Sequence, residues 1–409
     1  MPPRVGLLTL PLHTNYGGMV QAVALYRIVT ADLQCEAIFL ERAAAVPQKS
    51  LLRRAVIGAA VRMPFIFALR TKLSQAAQNK GALAKFVPPA LAKKAFSKVD
   101  RMIRIRRSKE HLPFLQRTMA ARSGILTSTQ DMAASIGRFG IDTLVVGSDQ
   151  VWRLGYHPPG AEEDFFFGFA PSPAIRKVSY AASFGFGDWK YAQHTERVKE
   201  LLARFDAVSV REASGVEICN QVFGRPDAVH VLDPTMVVDP VFYEEIAAPP
   251  SHRAPPTLLS YVLDDEPDRL RISDEVLQAL GPGFSHRSLK LDAGWATLDV
   301  PGWLRAFMDA DFVLTDSFHG VVFSIIFRKN FIGIVNRNRG ADRFTSLLQQ
   351  LGLLDRLVSE SDRGTVLDLV QRPIDYSAVE PRLSALRQIS MAFLRNALHR
   401  TAQPEGQRN

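Results

Sequence analysis

Cysteine is almost absent from this 409-residue sequence: Cys35 and Cys219 are the only two, far apart and each in an apolar context. Neither a disulfide framework nor a cysteine-ligated metal site is expected, and a reducing compartment fits. Long hydrophobic runs are also missing. Val56–Leu69, the nearest candidate, is broken by Arg62 and Pro64 and falls short of the roughly 18 residues of a spanning helix. The residues after Met1 lead into a strand-like segment ending at Leu10 with no apolar leader core or small-residue cleavage site, so no export signal is expected. There is no G-x-G-x-x-G and no Walker loop, which removes dinucleotide and P-loop chemistry. Repeats and low-complexity tracts do not occur.

What is present describes a globular chain. Hydrophobic residues make up 47% and charged residues 22%, which excludes bulk disorder. The length suits two domains with a cleft. A net charge of +9 suits anionic partners, and its location selects among them.

The pattern opens with a buried strand over Val5–Leu10, a loop holding Asn15, Tyr16, Gly17 and Gly18, and helical spacing from Val20 to Ile28. A second strand at Ala37–Leu40 completes a βαβ unit. From about 43 to 122 the character changes. Lysine and arginine recur with almost no acid before Glu110, and apolar residues are interleaved, which predicts a basic amphipathic helical insertion. Strands resume at Thr143–Val146, Val178–Ala182, Ala207–Val210 and His230–Leu232. Proline-rich sequence over Val238–Pro256 reads as a linker, giving an N-terminal Rossmann-like domain over 1–249. A second Rossmann-like domain over 250–400 carries strands at Thr257–Val262, Phe312–Thr315 and Phe331–Val335, and a closing helix over Pro381–His399. The polar tail 401–409 is expected to be disordered.

The distinctive loops all follow apolar strands, where open α/β sheets bind ligands. Asn15, Ser148, Arg211 and His319 would face one another across the cleft and suit an anionic substrate. Gly17 and Gly18 fit a simple turn or a helix start that holds an anion. His319 fits a proton donor or a phosphate ligand, against the alternative of a satisfied structural histidine. Asp316 fits a helix cap or a catalytic carboxylate. Arg211, followed by Glu212, fits a salt bridge or a bidentate anion clamp. Arg343 stands in a basic loop with Arg337 and Arg339. Lys329 fits a loop charge better than a ligand. Asp149 and Gln150 are turn residues or substrate contacts, and Trp152 either stacks on a sugar or packs in the core.

Five segments in order, Thr14-Asn15-Tyr16-Gly17-Gly18, Gly147-Ser148-Asp149-Gln150-Val151-Trp152, Ser209-Val210-Arg211-Glu212, Asp233-Pro234-Thr235 and Thr315-Asp316-Ser317-Phe318-His319-Gly320, resemble the polysaccharide pyruvyl transferase family. The likeness covers about residues 4 to 355, the basic insertion excepted. It implies a two-domain GT-B-like fold, phosphoenolpyruvate as donor, and as acceptor a sugar of a bacterial surface polysaccharide or its lipid-linked precursor. No metal or organic cofactor is implied. By similarity His319 lies at the donor site, Arg211 binds its anionic groups and Arg343 is a further donor-site arginine. Many members carry arginine where this chain has Ser317, and Arg343 or Lys329 are the candidates to supply that charge. Pyruvyl transfer then assigns His319 as acid, Arg211 and Arg343 as clamps, and Asp149 as base or acceptor ligand.

Two other readings share the pattern. A glycosyltransferase with a nucleotide-sugar donor would use the same architecture. A degenerate enzyme would leave the basic segment as a membrane-surface module, and residues 49–109 also allow an active catalyst to sit peripherally on an anionic cytoplasmic leaflet. No nucleic-acid-binding signature occurs, so no nucleic-acid partner is expected.

Overall fold

Short apolar segments of the N-terminal part assemble one parallel sheet. Its strands are β1 (Arg4–Leu8), β2 (Glu36–Arg42), β3 (Arg122–Leu126), β4 (Thr143–Asp149), β5 (Arg176–Ala182), β6 (Ala207–Val210) and β7 (Val229–His230), in the order β3-β2-β1-β4-β5-β6-β7. Helices α1 (Tyr16–Arg27), α2 (Pro89–Thr118), α3 (Thr129–Phe139), α4 (Thr195–Leu202) and α5 (Ala213–Gln221) lie between these strands. β4 is buried along its whole length, as a central strand covered on both faces must be. After the short α6 (Pro234–Val237) and α7 (Val241–Ile246), the second sheet comprises β8 (Thr257–Tyr261), β9 (Ser285–Ser288), β10 (Phe312–Thr315), β11 (Asn330–Ile334) and β12 (Leu357–Val358). It is also parallel, in the order β12-β11-β10-β8-β9. Its helices are α8 (Pro267–Leu280), α9 (Val300–Asp309), α10 (Phe318–Ile326), α11 (Ala341–Leu351) and α12 (Arg363–Gln371), with α13 (Tyr376–His399) closing the chain.

The computed structural model describes residues 2–12, 15–44, 69, 72–73, 76, 85, 87–158, 160–250, 255–264, 267–289, 298–336, 340–359 and 363–399. Nearly all of the N-terminal half of the expected basic insertion, with the early part of the 49–109 surface, therefore lies outside the described residues, as do Arg337, Arg339 and the tail 401–409. The later part of that insertion is α2, a 30-residue helix with Pro113 inside it. No helix among the described residues is long and apolar enough to cross a membrane.

In each sheet the strand order reverses once, between β1 and β4 and between β8 and β10. Helices leave opposite faces of the sheet at such a point and open a crevice beyond the strand ends. The two crevices face each other because apolar packing joins the halves beneath them. Tyr16 on α1 stacks on Trp303 of α9, with ring centroids 5.6 Å apart. Tyr243 on α7 meets the Phe323 ring of α10 edge-on at 5.2 Å. One buried core runs through both halves. α13 returns to the first sheet: Ser390 Oγ accepts from Leu232 N at 2.9 Å, and Arg387 Nε donates to Met236 O at 2.7 Å. These two anchors fix the halves against each other.

Candidate active site

Four helices begin at the seam. α1 starts after Asn15, α5 after Glu212, α10 after Ser317 and α11 after Gly340. The positive ends of their dipoles make the seam favourable to anions. α1 and α10 meet so closely that a Cβ built on Gly17 would lie 2.1 Å from His319 Nδ1. Glycine is required there for contact, since any side chain would displace the imidazole.

Between these helix ends lies a buried charged cluster. Arg211, just past β6, donates from Nη1 to Asp233 Oδ2 at 2.5 Å and from Nη2 to Asp149 Oδ1 at 3.2 Å. Its guanidinium lies 4.7 Å from the centre of the Phe318 ring, and that of Arg343 lies 5.1 Å from the same ring. Phe318 therefore spaces two cations that would otherwise repel at closer range. Arg343 Nη1 stands 3.9 Å from Asp149 Oδ1. Asp233 Oδ1 accepts from Thr235 N at 3.0 Å and Thr235 Oγ1 at 2.7 Å, while Oδ2 faces His319 Nε2 at 3.7 Å.

The cluster sets the state of its members. Burial works against charge on Asp149, yet Arg211, then His319 and Arg343, hold its carboxyl below the usual range. Burial likewise opposes charge on Asp233, but the facing His319 and Arg211 drive it far lower. For Arg343, burial and the neighbouring Arg211 win over Asp149, and its pKa falls to about 10. Burial pushes Glu212 upward, and the arginines offset this only in part. Arg211 Nε and Glu212 Oε2 have no protein hydrogen-bond partner, and His319 Nε2 has none nearer than Asp233 Oδ2 at 3.7 Å. Buried groups are rarely left so without a ligand to meet them.

The structure gathers Asn15, Gly17, Ser148, Asp149, Gln150, Arg211, His319 and Arg343 in this region. Asn15 Nδ2 donates to Asp149 Oδ2 at 3.3 Å. Ser148 Oγ lies 3.1 Å from both Ala181 O and Asp233 Oδ2, so its hydroxyl braces Asp233. Gln150 Oε1 accepts from Arg153 at 2.9 Å. Gly17 and Gly18 occupy the first turn of α1 instead of a loop before it.

Several expectations need correction. Tyr16 is a packing residue: its hydroxyl donates to Leu298 O and its ring lies against Trp303. Asp316 is not the helix cap, because Ser317 takes that place, with Gly320 N donating to its hydroxyl at 3.4 Å. Asp316 braces the loop after β8 instead, accepting from Leu263 N at 2.7 Å, Arg269 at 2.9 Å and Asn336 at 3.0 Å. Lys329 precedes β11, at the strand end away from the crevice, and donates to Met308 O at 2.6 Å. It is no candidate for the charge missing at Ser317, whereas Arg343 stands in the cluster. Trp152 is fully buried against Phe166 and Phe184, so it packs in the core. Asp149 is a poor proton acceptor, since the cations that surround it stabilise its ionised form.

Two members of the cluster were not singled out as site residues from sequence. Asp233 caps α6 through its Oδ1, and its second oxygen joins Arg211 to His319. Glu212 reads as a salt-bridge partner, yet its Oε1 accepts from Phe184 N at 2.8 Å and its other oxygen is left over. A surface depression of about 700 Å³ lies at the opposite strand ends, by Arg4, Cys35, Glu36 and Arg138. Arg4 there is already paired with Glu36.

Two parallel-sheet domains that meet at their strand carboxyl ends, over one shared buried site, define a GT-B-like protein. The chain belongs to the polysaccharide pyruvyl transferase family, whose model matches residues 76–338. Gly17 and Arg343 lie outside that match and are joined to it by the contacts above. No curated protein matches the sequence. Among solved structures, a UDP-N-acetylglucosamine 2-epimerase from Rickettsia bellii aligns over 97% of this chain and 96% of its own, at 10% identity and a TM-score of 0.46. A putative UDP-N-acetylglucosamine 2-epimerase from Listeria monocytogenes aligns over 99% of each chain at 10% identity and a TM-score of 0.45. The glycotransferase of kitacinnamycin aligns over 97% of each at 12% identity and a TM-score of 0.39. At these scores the likenesses say nothing of activity.

Proposed function

We propose that the protein transfers the enolpyruvyl carbons of phosphoenolpyruvate to two hydroxyls of a sugar, forming a pyruvate ketal and releasing inorganic phosphate. The acceptor sugar belongs to a bacterial surface polysaccharide or its lipid-linked precursor, and the reaction takes place in the cytoplasm. The observation that carries this reading is the buried seam where two arginines, a histidine held against Asp233 and four helix N-termini converge. A small ligand with two anionic groups answers such a set.

In the proposed reaction His319 delivers a proton to the methylene carbon of the enol, which leaves the adjacent carbon oxocarbenium-like. Arg211 and Arg343 hold the phosphate and carboxylate. A sugar hydroxyl attacks the adjacent carbon as it loses its proton to a base. Phosphate then leaves the same carbon as the second hydroxyl attacks it, taking up that hydroxyl's proton, and the ketal closes. Glu212 is better suited as that base than Asp149, because one of its oxygens has no partner and burial raises its proton affinity. Asp149 orients Arg211 and Asn15, and Asp233 orients His319 and Arg211.

Thermal unfolding in the presence of phosphoenolpyruvate, UDP, GDP or inorganic phosphate tests the donor. The expected result is a stabilisation by phosphoenolpyruvate that exceeds that of phosphate and is lost in His319→Ala. Stabilisation by a nucleotide and not by phosphoenolpyruvate would replace pyruvyl transfer with glycosyl transfer.

A further inference from the structure

Among the described residues, Tyr156 is the only aromatic side chain that is exposed, at 42% of its surface. It stands on a short turn, Leu154–Tyr156, in the loop that follows β4 and Asp149. Arg153 fills the space between it and Phe186, its guanidinium 4.4 Å from the Tyr156 ring centre and 4.3 Å from that of Phe186. Phe186 comes from the loop after β5, so the carboxyl ends of two adjacent central strands together build the platform.

The platform is coupled to the buried cluster. Arg153 Nη1 donates to Gln150 Oε1 at 2.9 Å, and Gln150 is bonded to Asp149. A Cβ built on Gly185 would fall 2.2 Å from that same Oε1, and one built on Gly340 would fall 2.9 Å from Gly185 O. The backbone of the β5 loop is thus pressed between Gln150 and the start of α11, which carries Arg343.

We propose that Tyr156, with Arg153 and Gln150, forms the subsite that holds the pyranose ring of the acceptor sugar; this rests on the pyruvyl-transfer reading above. A pyranose presents an apolar face of C–H groups rimmed by hydroxyls. An exposed aromatic face receives the former, and a guanidinium immobilised between two rings receives the latter. The buried donor residues expose no aromatic surface, since Trp152 is sealed in the core. The sugar must nevertheless lie beside them, because both of its hydroxyls react at one carbon of the donor. Tyr156 meets both conditions: it is exposed, and one residue of hydrogen bonding separates its neighbour Arg153 from Asp149.

Saturation-transfer NMR on the full chain with phosphoenolpyruvate present tests this, using the methyl pyranosides of glucose, galactose, mannose and N-acetylglucosamine as probes at millimolar concentration. At least one probe is expected to show transfer to its ring protons. Tyr156→Ala should weaken that binding roughly threefold to tenfold, and Tyr156→Phe should retain it. Stabilisation by phosphoenolpyruvate should be the same in both variants. Transfer that is unaffected in Tyr156→Ala, or absent for every probe with the unaltered protein, overturns the subsite. Absence of stabilisation by phosphoenolpyruvate in the unaltered protein overturns the donor reading instead.

Discussion

Asp233 Oδ2 receives the 2.5 Å hydrogen bond of Arg211 and faces His319 Nε2 at 3.7 Å. One carboxylate oxygen from the first domain thus sets both the proposed anion clamp and the proposed proton donor, the latter carried by the second. Asp233→Ala removes one of the two carboxylates that pair with the buried Arg211 and leaves only the 3.2 Å contact to Asp149, and breaking a buried pair costs up to about 3–5 kcal/mol of stability. Asp233→Asn keeps the shape and the Thr235 contacts and should cost less. The strongly depressed Asp233 carboxyl also predicts acid sensitivity. Its stabilisation is complete above the unfolded value of about 3.9 and fades as pH falls below it, because the unfolded chain takes up the proton first. Denaturant melts at pH 7 and pH 3 check this: the gap between the unaltered protein and Asp233→Asn should shrink at the lower pH.

Gly17→Ala places a methyl group within 2.1 Å of His319 Nδ1 and 2.2 Å of its Cγ. The ring must move, since both neighbouring backbones are helical. Misplacing a reacting group by about 1 Å costs on the order of a hundredfold in rate. Pyruvyl transfer should fall by about that factor in Gly17→Ala while circular dichroism shows the helices intact. An unchanged rate would separate His319 from the chemistry.

Much of this architecture is legible in the sequence, for a physical reason. β4, β5 and β10 are central strands, and their apolar runs stand out against polar loops. β3 and β9 do not announce themselves. β3, Arg-Ser-Gly-Ile-Leu, is an edge strand that exposes Ile125, and β9, Ser-His-Arg-Ser, has no apolar residue at all. Both owe their extended form to a neighbouring strand, which no local pattern encodes. The site divides the same way. Asn15, Arg211 and His319 follow strong strand signals, so their place at strand ends is readable. The role of Asp233 depends on His319, a partner far along the chain in the other domain, and the surplus oxygen of Glu212 depends on a backbone amide at Phe184. Lys329 misleads because the carboxyl and amino ends of a strand look alike until the direction of the crevice is known.

Arg343 titrates within reach of experiment, its pKa lowered to about 10 by burial and by Arg211. Its positive charge is present below that value and lost above it. Binding of phosphoenolpyruvate should therefore weaken as pH rises through about 10, and Arg343→Lys should shift that limb. Arg343→Ala should weaken binding by about 1.5–3 kcal/mol, the usual worth of a hydrogen bond to a charged group. Calorimetric titration from about pH 7 to about pH 10.5, the span over which basic side chains lose their charge, reads both effects. Equal affinity in Arg343→Ala and the unaltered protein would remove this residue from the donor site.

Glu212→Gln separates catalysis from stability, because the two respond in opposite directions. In the folded protein burial raises the carboxyl, so the native state holds the proton more tightly than the unfolded chain does. Stability then falls as pH rises through the window between the two values. Glutamine keeps the Phe184 contact without a charge, so Glu212→Gln should be at least as stable as the unaltered protein at pH 7. If Glu212 accepts the sugar hydroxyl's proton, the same variant should lose about 10²- to 10⁴-fold in kcat. The acidic limb of the pH–rate profile should disappear with it, while stabilisation by phosphoenolpyruvate persists. A variant that is stabler and equally fast would give Glu212 a structural role alone, and the proton would have to leave by another group.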